Sequence, residues 1–245
     1  TVTLNDVDAP NFSGVPGTIT VRNIGLEPYT ADNYDLSAEY YTAQGGVISV
    51  GAFRKDIVNF FGPLNRVATA EDIAAIGFAE EYIGFQLTTT TNVGDAKING
   101  TEFNFRQPLK PFGGFFRYLT VFMNGTKLKL EGNSPASFNR FLPLALNWGI
   151  NYSRRPLTLA LSWNARGKQN QGTSTTQGAD ADLYFNPALN MSLSASYQMT
   201  PRLALFLTGT NVFNEWRTLG RYAPSTPKYA RRSSTNSYGS IWSLG

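Results

Sequence analysis

The 245-residue sequence contains no cysteine and no histidine. The first absence removes disulfides, thiolate chemistry and sulfur-ligated metals, and says little about compartment. The second removes the commonest general base and the commonest transition-metal ligand. Charge is sparse as well: Asp, Glu, Lys and Arg make up 16% of the residues, below the ~25% of an ordinary soluble domain. No apolar run reaches the 18 or so residues of a transmembrane helix, so a helical span is excluded and a spanning strand is not. The chain opens at Thr1-Val2-Thr3 with no basic-then-apolar leader, which reads as a mature product or an interior piece.

What is present is alternation. From Leu183 to Tyr197 the odd positions (Leu183, Phe185, Leu189, Met191, Leu193, Ala195, Tyr197) are mostly apolar, and Asn190, Ser192, Ser194, Ser196 and Gln198 between them are polar. After Met199-Thr200-Pro201-Arg202 the pattern resumes with Leu203, Leu205 and Leu207, up to Phe213. Period two marks a strand with two different faces. Leu142, Leu144, Leu146, Trp148, Ile150 and Tyr152 alternate with small and polar residues, turn at Arg154-Arg155-Pro156, and continue in Leu157, Leu159, Leu161 and Trp163. Further strands are expected at 33–41, 47–57, 83–108, 115–130 and 235–244, giving nine, with 1–30 read as loop. Thr69 and Asp72 predict a short capped helix, expected to be a solvated piece of a long insertion at 58–82.

The connections then sort themselves. Those at 43–46, 109–114, 154–156 and 199–202 are short, and those at 58–82, 131–139, 167–181 and 214–234 are long. Strict alternation of short and long, with strands exceeding the five or six residues of soluble sheets, is the pattern of a transmembrane barrel with short periplasmic turns and longer outer loops. The fold class expected is therefore all-β, an antiparallel up-and-down transmembrane β-barrel. Its apolar rows would face lipid. Asn147, Asn151, Ser162, Asn164, Ser192, Ser194 and Ser196 would face the lumen.

Charge is uneven along the chain. Residues 1–100 hold 5 Lys/Arg against 12 Asp/Glu, and residues 101–245 hold 16 against 5. The cations fall at strand ends and in loops rather than in one patch with a binding motif, so nucleic acid is not an expected partner. In the loop 214–234, Trp216, Arg217, Arg221, Tyr222, Tyr229, Arg231 and Arg232 are the candidate ligand contacts, because cations beside aromatics suit an anionic or sugar-bearing ligand. The competing reading is solvation, or contact with lipopolysaccharide phosphates. No enzyme is expected: Ser–His and His–metal mechanisms have no histidine to use, and Glu80/Glu81 is more simply a loop charge pair. No catalytic residue, metal site or cofactor is assigned.

Three passages carry a family resemblance. Asn23-Ile24-Gly25-Leu26-Glu27-Pro28 followed by NYDLSAEYY (Asn33–Tyr41), Gly94–Glu102 as GDAKINGTE, and Asn211-Val212-Phe213-Asn214-Glu215 together resemble, in order and spacing, the barrel of TonB-dependent outer-membrane receptors. Ile24 stands where that family usually has proline, and the end at Leu244-Gly245 lacks its terminal aromatic. The resemblance implies a 22-stranded barrel plugged by an N-terminal domain, of which residues 1–245 would be the C-terminal part, about nine strands, without the plug. It implies residence in the bacterial outer membrane, contact with lipid, lipopolysaccharide and the plug, and energy from a TonB complex acting through the plug. The implied role is uptake of a scarce ligand such as a siderophore, cobalamin, haem or oligosaccharide. A passive porin and a soluble β-sandwich binding module are the alternatives.

Overall fold

The computed structural model describes residues 4–8, 17–132, 140–173, 182–222 and 226–245. The alternating segments are strands: β1 (Leu4–Asp8), β2 (Thr18–Val21), β3 (Thr30–Tyr41), β4 (Val47–Val67), β5 (Gln86–Pro108), β6 (Leu119–Gly132), β7 (Leu144–Arg154), β8 (Leu157–Arg166), β9 (Gln169–Thr173), β10 (Asp182–Phe185), β11 (Ala188–Thr200), β12 (Leu203–Thr210), β13 (Arg217–Tyr222), β14 (Arg232–Asn236) and β15 (Ile241–Leu244). The α-helix among the described residues is α1 (Ala70–Ile76). β4 and β5, at 21 and 23 residues, are several times an ordinary soluble strand. β5 is not divided at Gly94, as the alternation of connections requires.

The chain forms two units, and β4 and β5 run through both. The larger comprises residues 34–54, 99–129 and 138–245. In it β3, β4, β5, β6, β7, β8, β11, β12 and β15 are hydrogen-bonded neighbours in chain order, antiparallel at every step from β6 onward. These are the nine expected strands. Cross-strand register puts Leu159 opposite Ala195, Leu161 opposite Leu193 and Tyr197 opposite Leu205, so the apolar row is continuous across three strands. Ser162–Ser192 and Thr158–Ser196 continue the polar row in the same way. The apolar row is not a core: Leu189 and Leu205 are each 44% exposed, and Leu193 and Leu161 are half-buried. A sandwich would have covered it. Met191, 9% exposed, is the covered member of the row.

The smaller unit comprises residues 1–33, 55–98 and 130–137. Here β2 pairs antiparallel with β1 and parallel with the start of β5, Thr18 opposite Gln86 and Thr20 opposite Thr88. Residues 1–30 are therefore not simply loop. The helix is not merely solvated either. The Thr69 hydroxyl accepts the Asp72 N–H, the Asp72 carboxylate accepts the Thr69 N–H, and Gly77 closes the C-terminus at φ 77°. Between these caps Ile73, 1% exposed, packs with Ile19, Ala68 and Leu87. The long insertion is shorter than expected, because β4 continues to Val67.

Three other expectations need correction. The strand from Leu183 breaks at Asn186-Pro187, where proline has no N–H for the ladder. The segments 167–181 and 214–234 contain β9, β13 and β14, which with β10 form a second antiparallel sheet ordered β14-β13-β10-β9. The last expected strand is two: Thr235 and Asn236 end β14, and Ile241 opens β15 against β12.

Candidate ligand-binding site

On the polar face, at the ends of β8, β11 and β12 that lead into long connections, the chain encloses a hollow of about 440 Å³. Asn164 and Arg166 from β8, and Asn190 and Ser192 from β11, reach it because they share one parity in paired strands. The opposite wall comes from Thr210, Asn211, Glu215, Trp216 and Arg217, with Tyr238 also at the hollow.

Asn211 sets that wall in place. It takes φ 52°, a left-handed conformation that asparagine tolerates better than other side chains. Its Nδ2 donates to the carbonyls of Glu215 (3.1 Å) and Gly239 (3.0 Å), and its Oδ1 accepts the Glu215 N–H at 2.8 Å. The Val212 N–H donates to the Met191 carbonyl at 3.0 Å. One side chain thus ties the exit of β12 to the segment before β15, and Trp216 and Arg217 follow directly.

The second sheet supplies the floor. The Arg217 guanidinium stands 3.7 Å from the centroid of the Phe185 ring, a cation–π contact. The Tyr222 hydroxyl donates to Asn186 Oδ1 at 3.0 Å. Lys168 Nζ lies 3.5 Å from the Tyr222 ring centroid and 4.0 Å from that of Tyr184. Burial, and then the Asp182 carboxylate, push the Tyr184 phenol above its ordinary pKa.

The seven loop residues singled out by composition therefore separate. Trp216 and Arg217 line the hollow. Tyr222 supports it through Asn186. Arg221 stands opposite Leu183 in the sheet, its N–H bonded to the Arg231 carbonyl at 2.6 Å, and its Nε is buried without a hydrogen-bond partner among the described residues. Tyr229, Arg231 and Arg232 do not line the hollow. Tyr229 is 89% exposed, and Arg231 and Arg232 are exposed as well. Sequence reasoning missed Arg166, Gln169, Asn186 and Glu215. The parity of Ser162 and Asn164, carried two residues further, would have found Arg166.

Residues 4–212 match the family described as TonB dependent receptor-like, beta-barrel. The chain belongs to that family. Such barrels reside in the bacterial outer membrane. The family is one of transport receptors rather than enzymes. No curated protein sequence is significantly similar to the chain.

Among solved structures, this TonB-dependent receptor barrel resembles the ferric enterobactin receptor PfeA of Pseudomonas aeruginosa in complex with enterobactin, at 17% identity and a TM-score of 0.62 over 93% of this chain and 32% of that one. It also resembles the siderophore receptor PirA of the same organism, at 16% identity and a TM-score of 0.55 over 96% and 32% of the two chains. The pyoverdine receptor FpvA bound to pyoverdine matches at 15% identity and a TM-score of 0.61 over 89% and 30%. The chain spans about a third of the length of these receptors. At such identities the likeness is one of fold.

Proposed function

We propose that the chain is the C-terminal portion of an active importer, supplying barrel wall and outer loops for TonB-dependent uptake of a scarce anionic ligand of the siderophore class. The carrying observation is the hollow, where Arg166 of β8 meets Arg217 of β13, in the second sheet, and the preceding Trp216. Two guanidiniums and an indole suit a ligand with charged oxygens and flat rings. The solved relatives bound to enterobactin and pyoverdine support that class over cobalamin, haem or an oligosaccharide. A plug domain encoded elsewhere in the receptor would close the passage and carry the TonB contact.

Uptake of radiolabelled ferric enterobactin by the complete receptor tests the proposal. Arg217→Gln should raise the half-saturating concentration about tenfold or more, as expected for losing a hydrogen bond to a charged partner. Tyr229→Ala should leave it unchanged, and both variants should keep the heat-modifiable gel mobility of an assembled barrel. Wild-type uptake by Arg217→Gln and by Arg166→Gln would remove the site.

A further inference from the structure

We propose that the lipid face of this chain carries a binding site for one anionic glycerophospholipid of the inner leaflet, a proposal that rests on the outer-membrane barrel reading. At the short-turn ends of β6, β7 and β8 the apolar face is hollowed to about 360 Å³. Leu119, Ile150, Tyr152, Leu157, Leu159 and Leu161 line the hollow together with Phe115, which stacks on Tyr152 at 5.4 Å. These residues share one face by register: Leu119 stands opposite Tyr152, Tyr152 opposite Leu159, and Ile150 opposite Leu161.

The same row ends in a charge. Arg154 stands opposite Leu157, so it continues the apolar row at the membrane boundary. Its guanidinium lies 5.0 Å from the centroid of the Tyr118 ring, and that of Arg117 lies 4.7 Å from the same ring. Arg117 also donates to the Tyr118 hydroxyl. Tyr118 thereby contacts two planar guanidinium forks, the group that suits a phosphate. Charge at this end is one-sided. The connections 43–46, 109–118, 154–156 and 199–202 contain Lys110, Arg117, Arg154, Arg155 and Arg202, and no carboxylate. An acyl chain fills the hollow while the phosphodiester meets Arg117 and Arg154; a zwitterionic lipid brings the chain without the net charge.

The complete receptor, in nanodiscs of phosphatidylcholine with a minority of phosphatidylglycerol, is transferred to detergent and its retained lipid measured by native mass spectrometry. One retained phosphatidylglycerol per receptor is expected. The double variant Arg117→Gln/Arg154→Gln should reduce retention about tenfold or more, since each cation near an anionic surface contributes several-fold. Leu159→Trp, which fills the hollow and keeps both cations, should reduce it as well. A heat-modifiable barrel whose phosphatidylglycerol retention is the same in all three overturns the site alone. A preparation that dissolves without detergent overturns the barrel reading beneath it. Retention of lipopolysaccharide in place of phosphatidylglycerol assigns the face to the outer leaflet and overturns the site too.

Discussion

Asp72 shows how much one side chain organises just beyond the C-terminal end of β4. It accepts the Thr69 N–H at 2.9 Å and pairs through both carboxylate oxygens with the Arg66 guanidinium. The Arg66 hydrogen bonds, and then that N–H, hold its pKa at about 2, below the ~3.9 of a free aspartate. A folded pKa below the unfolded one means that the stabilisation is fully present above the ordinary carboxylate range and is lost as pH falls through about 2. Protection factors of the α1 amides should therefore decline between about pH 4 and pH 2 in the wild type. Asp72→Asn should begin with low protection and show no such decline. Thr69→Ala removes the other half of the box and should cost about 1 kcal/mol, roughly fivefold in local opening. Protection factors that stay constant from about pH 4 to pH 2 in the wild type would contradict this account. The capping residues were legible because Thr-x-x-Asp is a local signal. That Ile73 buries itself against Ile19 and Leu87 was not, because those contacts link residues far apart in sequence.

At the scale of the strand, close approach governs β7. Gly149 lies opposite Phe122 on one side and Ser162 on the other. A Cβ there would stand 2.3 Å from the Leu161 carbonyl oxygen and 2.7 Å from the Phe122 ring. The ring could turn aside; the carbonyl is part of the ladder and cannot. Gly149→Val should therefore destabilise the sheet by about 1–3 kcal/mol and lower the heat-modifiable fraction after refolding. Phe122→Ala should not rescue it, and full rescue would place the strain in the side chain. Gly209, opposite Trp242 on β15, differs: the atoms nearest a Cβ there all belong to the Trp242 ring, at 2.7–2.9 Å. Strands with unbroken alternation, such as 142–153 and 157–164, were legible to within a few residues. β9 and β14 were not: Gln169-Asn170-Gln171-Gly172 and Ser233-Ser234-Thr235-Asn236 carry little strand preference of their own. They are strands because their neighbours offer hydrogen bonds. The break at Asn186-Pro187 did have a signal, a proline inside an alternating run.

For the whole molecule, the exposed apolar row and the edges set the solution behaviour. β3 and β15 each pair with one strand only among the described residues. An unpaired backbone group in hydrocarbon costs several kcal/mol, and Leu36, Leu203 and Leu244 are more than half exposed. The isolated 245-residue chain should sediment without detergent and stay in solution with it, and a monodisperse detergent-free monomer would refute the membrane assignment. The candidate site was half legible. Trp216 and Arg217 stood out as a cation beside an aromatic in a long loop, whereas Arg166 was hidden at the end of a strand. Tyr229, Arg231 and Arg232 have the same chemistry in sequence and lie away from the hollow, since composition does not encode direction. The second sheet has one more consequence. β10 comes from the connection between β8 and β11, and its partner β13 from the connection between β12 and β15. Exchanging either connection alone for that of a relative leaves a strand without its neighbour. The two connections can be exchanged, and can diverge, without loss of this sheet only as a matched pair.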